Sequence, residues 1–171
     1  MSVFFGYTVP RIVDELGEPD ETVTVILKGH LLTEEHLNRI LSLQLLYPGE
    51  LDRSRFSFSQ RLCLVRALEP TQHAIWNLVG EVNSLRNQLA HSLARDQRAR
   101  RIGRFLEHYV TLDPNPESAD IVRSMSEASA VSRAIGFCLG FLAAYEEAIM
   151  QGVPGTMRAA TPPNPAAPAD G

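Results

Sequence analysis

The sequence predicts an all-α fold, a bundle of four main helices with a short extra one. Three observations carry this expectation. Apolar residues recur at spacings of three and four through most of the chain. No run alternates apolar and polar residues over a strand's length. Pro and Gly break the chain into helix-sized lengths at Pro48-Gly49, Pro70 and Pro114 to Pro116.

Residues 1–20 hold Gly6, Pro10, Gly17 and Pro19 and read as an extended arm with one helical turn near Arg11. Residues 21–46 read as one long helix. Val23, Ile26, Leu27, Leu31, Leu37, Ile40, Leu41 and Leu45 mark its apolar positions, and no breaker falls before Pro48. Ser57 or Ser59 caps a helix running to about Leu68, with Leu62 and Val65 inward. A third helix covers residues 72–90, its stripe formed by Ile75, Leu78, Val79, Val82, Leu85 and Leu89. The basic segment that follows keeps enough apolar spacing, at Ile102, Phe105, Leu106 and Tyr109, for the short extra helix. The last helix spans residues 117–151, and its second half is apolar on nearly all sides. Trp76 and Phe137 read as core. Residues 152–171 carry five prolines and many alanines and read as a disordered tail. The folded domain is therefore residues 21–151.

Composition narrows the function. With 16 basic and 20 acidic side chains the net charge is -4, so the chain as a whole does not attract nucleic acid and any such affinity must be local. Cys63 and Cys138 lie in apolar runs without metal-ligand spacing and read as buried, unreactive thiols. No signal-peptide pattern opens the sequence, and the apolar run at residues 134–145 is shorter than the roughly 20 residues that span a bilayer. A cytoplasmic protein without membrane attachment is the expectation.

The most informative stretch is residues 83–91, Asn-Ser-Leu-Arg-Asn-Gln-Leu-Ala-His. Arginine neutralises a phosphate, and histidine exchanges a proton near neutral pH. Arg86 and His91 are five positions apart, about 500° of helical rotation, so they do not share a face directly. Asn87 and His91, at i and i+4, do. The pair works as a site when His91 lies at a frayed helix end and Arg86 reaches beside it. Read on spacing alone, it is equally a polar helix end, where the macrodipole favours a histidine.

The run Leu-Arg-Asn-Gln-Leu-Ala-His ends the third of the expected main helices. It follows Phe-Ser-Gln-Arg-Leu-Cys-Leu-Val-Arg-Ala-Leu and the opening helix Ile-Leu-Lys-Gly-His-Leu-Leu-Thr-Glu-Glu-His-Leu-Asn-Arg-Ile-Leu. Together these segments resemble the HEPN superfamily, most of all the small stand-alone branch that includes mannitol-operon-repressor-like proteins. The resemblance covers about residues 20–150. It implies an antiparallel helical bundle and a homodimer with two R-x4-H motifs facing across a cleft. It also implies metal-independent endoribonuclease activity without a cofactor, in a toxin or antiphage setting with an antitoxin or other regulatory partner. Arg86, Asn87 and His91 are the residues carried over. Other members are non-catalytic, so a regulator or dimerisation module is the second expectation. A partner subunit that binds nucleic acid through residues 95–104 is the third.

Arg95, Arg98, Arg100, Arg101 and Arg104 either grip an RNA backbone or an acidic partner, or form a solvated face paired with Asp96 and Glu107. His30 and Glu34 are i and i+4 on the first helix; either Glu34 pairs with a basic group, or these residues line the cleft beside Arg86 and His91. With Glu35 and His36 they lack the spacing of a metal site, and no metal is expected. Gly136, Gly140, Ala143 and Ala144 allow close helix approach, either inside the bundle or at a dimer seam.

Overall fold

A computed structural model of the chain describes residues 20–69, 73–91 and 95–152, the side chains of Asp52, Ala90, His91 and Arg95 excepted. The expected N-terminal arm up to residue 19 and the tail from residue 153 lie outside the described residues. Within them the chain is all-helical, with seven helices and no strand. These are α1 (Glu21–Gln44), α2 (Gly49–Arg53), α3 (Phe58–Leu68), α4 (Ile75–His91), α5 (Arg95–Leu112), α6 (Ser118–Ser124) and α7 (Glu127–Met150).

Helix α1 forms as one element, as its pattern predicts. The Asp20 carboxylate caps it, accepting from the backbone N–H of Thr22 at 2.9 Å and of Val23 at 3.2 Å. Its buried face is Ile26, Gly29, His30, Thr33, Leu37, Ile40 and Leu41, an i, i+3, i+4 stripe. Leu45 is extended and ends the helix before Pro48. Ser57 caps α3 in a complete capping box with Gln60. Phe58, Leu62 and Val65 form the buried face of α3, so Cys63 points outward and is exposed. The expectation of a buried thiol there is corrected, because a short helix covering the core with one face leaves the neighbour of Leu62 in solvent.

Two boundaries also depart from expectation. The basic segment makes an 18-residue helix, α5, rather than a short one. Ile102, Phe105 and Tyr109, each at most 2% exposed, anchor it to the core. The final helix is not continuous from residue 117. Met125 is extended, and the Ser126 hydroxyl accepts from the Ser129 backbone N–H at 3.2 Å, starting α7 afresh. A serine hydroxyl competes for backbone donors and favours such a cap over a helix interior.

Helices α1 and α7 are the most extensively packed pair. Gly29 permits their approach, because a Cβ there would lie 2.7 Å from two carbons of Ile135. Val25 shares a groove with Ser129, Gly29 meets Ile135, and His36 bonds Glu146, so the two helices run in the same direction. Helix α4 runs opposite to α3, as the pairs Ser59–Asn83 and Leu62–Gly80 require. Trp76 on α4 packs edge-on against Phe141 and Tyr145 of α7, and its indole N–H donates to the buried Glu69 carboxylate. Phe137 packs at the edge of the core beside Tyr109.

Helix α7 is the one described helix long and apolar enough to cross a bilayer, with a mean hydropathy of 1.4, although 44% of that stretch is buried within the fold. The shorter run at residues 134–145 underestimated it, because Ala128, Ala130, Val131, Ala148, Ile149 and Met150 flanking that run extend the apolar length. Gly136, Gly140, Ala143 and Ala144 lie on its exposed side, and among the described residues nothing approaches a Cβ built at either glycine within 4 Å. The stripe is therefore not internal packing.

Candidate functional site

The last three turns of α4 have two faces. Val82 and Leu85 point into the core, while Asn83, Arg86 and Asn87, at i, i+3 and i+4, share the other side. His30 and Glu34 of α1 face them, and the first turn of α3 supplies Ser57, Phe58 and Ser59. These eight residues line one cleft of about 230 Å³, open to solvent. The structure thus brings His30, Glu34, Arg86 and Asn87 together from helices that are distant in sequence.

The cleft floor is rigid and bonded. His30 is 8% exposed and stacks on Phe58, ring centroids 4.8 Å apart. Its Nε2 lies 3.1 Å from Asn83 Oδ1, and Asn83 Nδ2 donates to Ser59 Oγ at 3.2 Å. Because Asn83 Oδ1 can only accept, the His30 proton on this bond sits on Nε2. Glu34 is paired with Arg61 at 2.6 Å, and Arg61 also donates to the Phe56 carbonyl. The Glu34 charge is therefore neutralised inside the wall. Arg61 Nε is buried without a hydrogen-bond partner among the described residues.

At the rim, Arg86 is exposed and donates to Asn87 Oδ1 at 3.3 Å. No carboxylate pairs with Arg86 among the described residues. His91 is the final residue of α4, and its side chain lies outside the described residues. The side chain of Arg95, at the start of α5, does too.

The other arginines of α5 separate. Arg98 bonds Asp20 at 2.6 Å and ties α5 to the cap of α1. Burial pushes the Asp20 carboxyl up, but the Val23 amide, Arg98 and the Thr22 amide outweigh it and hold it below its ordinary value. Arg100 and Arg104 are exposed, Arg101 is half-buried, and none forms an ion pair among the described residues. The acidic neighbours Asp96 and Glu107 do not neutralise them.

The His30, Glu34, Glu35 and His36 cluster is split by helical geometry. His30 and Glu34 face the cleft, whereas His36 bonds Glu146 on α7 and Glu35 pairs with Arg39 at 3.1 Å. Cys138 is fully buried, and desolvation, reinforced by the Glu81 charge, pushes its thiol up to about 12.

Asn83 and Ser59 were not singled out from sequence as site residues. Asn83 had a legible signal, since it lies three and four residues before Arg86 and Asn87 on the same helix face. Ser59 had none beyond its candidacy as a cap, because its place in the cleft depends on how α3 crosses α4. No protein-family model, curated protein or solved structure matches the chain.

Proposed function

We propose that the chain is a HEPN-like, metal-independent endoribonuclease that acts as a homodimer. The observation that carries this reading is the cleft itself. Arg86, without a carboxylate partner among the described residues, stands beside Asn87 on an open wall, and the next turn of the same helix carries His91. His91 takes the proton from a ribose 2′-OH, the O2′–P bond forms, and the P–O5′ bond breaks. Arg86 neutralises the charge that builds on the non-bridging oxygens. The leaving 5′-oxygen takes a proton from the second histidine of the dimer, and the product is a 2′,3′-cyclic phosphate. Asn87 orients Arg86 through the bond they share. Arg100 and Arg104 extend the basic surface toward a neighbouring phosphate. The dimer agrees with the outward, small-residue face of α7, which admits another helix.

The test is incubation of purified protein with mixed RNAs in EDTA. Cleavage to cyclic-phosphate ends, abolished in Arg86→Ala and in His91→Ala, is the expected result. Intact dimers that leave RNA uncut overturn it and favour the second reading. In that reading the chain is a non-catalytic HEPN-like module that binds an antitoxin or regulatory partner. Leu27, Leu31 and Leu32, all exposed on α1, favour it as apolar surface available to a partner.

A further inference from the structure

We infer that the α1–α3–α4 cleft is an oxyanion subsite whose hydrogen-bonding polarity is set by a chain running from His30 through Asn83 to Ser59. The inference deepens the ribonuclease reading but does not need cleavage, since it concerns which chemical group the cleft holds.

The argument is a census of open valences. Asn83 Oδ1 is occupied by His30 Nε2, so the Asn83 amide nitrogen is turned toward Ser59. Ser59 Oγ accepts that bond, which leaves its O–H free to donate. Ser59 is exposed and lines the cleft, so its O–H is available to a group held there. On the facing wall, Asn87 Oδ1 accepts from Arg86, which leaves the Asn87 amide N–H groups to donate outward. Arg86 has no carboxylate partner among the described residues. At the first turn of α3, Ser57 Oγ satisfies the Gln60 amide, and the Arg61 amide reaches the Ser57 carbonyl. Among the described residues the Phe58 and Ser59 amides remain the unpaired donors of that turn. The one acid in the wall, Glu34, pairs through Oε1 with Arg61, which offsets its charge.

Among the described residues the open groups are therefore mostly donors, gathered beside the Arg86 guanidinium. A ligand that satisfies the cleft must present several acceptors and negative charge, which is the chemistry of a phosphate group. His30 and Asn83 are positioning residues. They touch no ligand, but they fill one Ser59 lone pair and so bias its hydroxyl toward donating. The stack on Phe58 and the 8% exposure of His30 hold the ring in the one orientation that does this.

Two arms of one experiment test the inference. In the first, inorganic phosphate is titrated into isotope-labelled protein, and the Ser59 backbone and Asn87 side-chain amide resonances are followed. In the second, a short single-stranded RNA replaces phosphate and distinguishes a phosphodiester from a free phosphate as the preferred source. Saturable shifts at both residues are expected. Arg86→Ala should weaken binding about tenfold or more, and Ser59→Ala about threefold. Asn83→Asp is nearly isosteric, but its carboxylate accepts from Ser59 and reverses the chain. It should weaken binding about tenfold while the protein stays folded. His30→Gln keeps a donor toward residue 83 and should stay within about twofold of wild type, whereas His30→Ala should not. Absence of saturable shifts, undiminished binding by Asn83→Asp, or equal behaviour of the two His30 variants overturns the inference. Phosphate binding by a protein that leaves RNA uncut would sustain it while the ribonuclease reading failed.

Discussion

Asp113 shows how single residues lock this fold. Its carboxylate accepts from the hydroxyls of Ser118 and Tyr109 and from the Asn115 amide, joining the end of α5 to the start of α6. Tyr109 Oη also accepts from Arg133 on α7 at 2.9 Å, so the Tyr109–Asp113 pair ties three helices together. The Ser118 and Tyr109 hydroxyls and the Asn115 amide hold the Asp113 carboxyl below its ordinary 3.8. A lowered folded pKa means stability that is present above the unfolded value and lost as pH falls through the folded one. Asp113→Asn should cost about 1 kcal/mol at neutral pH by urea denaturation. The gap from wild type should narrow below about pH 4, where the unfolded carboxyl protonates. A gap constant from pH 7 to pH 3 would refute this account. The two thiols give a second prediction at this scale. Iodoacetamide at pH 8 should label exposed Cys63 in the native protein and spare Cys138, whose buried thiol stays protonated. Mass spectrometry reads the site, and native labelling of Cys138 would contradict its burial.

At the scale of the element, helix starts and close approaches carry the energetics. The α1–α7 contact depends on Gly29, where an added methyl meets Ile135 at 2.7 Å. Isoleucine is branched at Cβ and cannot swing clear cheaply. Gly29→Ala should therefore destabilise by about 1–3 kcal/mol, despite alanine's better helix propensity. A higher melting temperature in that variant would show that the helices part without cost. At Gly140 the opposite holds for the monomer, because nothing lies within 4 Å of an added Cβ. The α6–α7 break rests on Ser126, and Ser126→Ala should cost about 1 kcal/mol through loss of the cap. That loss should appear as a lowered denaturation midpoint with unchanged slope.

For the whole molecule, the question is what lies against the outer face of α7. A stretch with mean hydropathy 1.4 that is 44% buried leaves much apolar surface outward. Under the proposed homodimer, light scattering should give twice the chain mass of 18.9 kDa. Gly140→Arg should halve that mass while helical circular dichroism is unchanged. A Gly140→Arg protein that keeps its mass would place the seam elsewhere. The cleft belongs to this scale too, since it exists only where α1, α3 and α4 converge.

How much was legible in advance follows the range of the interactions. The periodicity of α1 and α4, the Ser57 cap and the core positions of Trp76 and Leu78 are local consequences of residue type and spacing, and they could be read directly. The break at Ser126 could not, because a serine in an apolar helix is compatible with both a cap and an interior position. Neither could the length of α5, since its anchors Ile102, Phe105 and Tyr109 mark only the later part, and the arginine-rich start carries no apolar signal. Arg86 and Asn87 were named from a short motif, and His30 and Glu34 from their spacing. What tertiary structure decided was their company: the bond from His30 to Asn83 spans 53 positions, and the one from Asn83 to Ser59 spans 24. Spacing along one helix fixes which side chains share a face. Which face meets which is settled by packing between helices, and in this chain that packing makes the cleft.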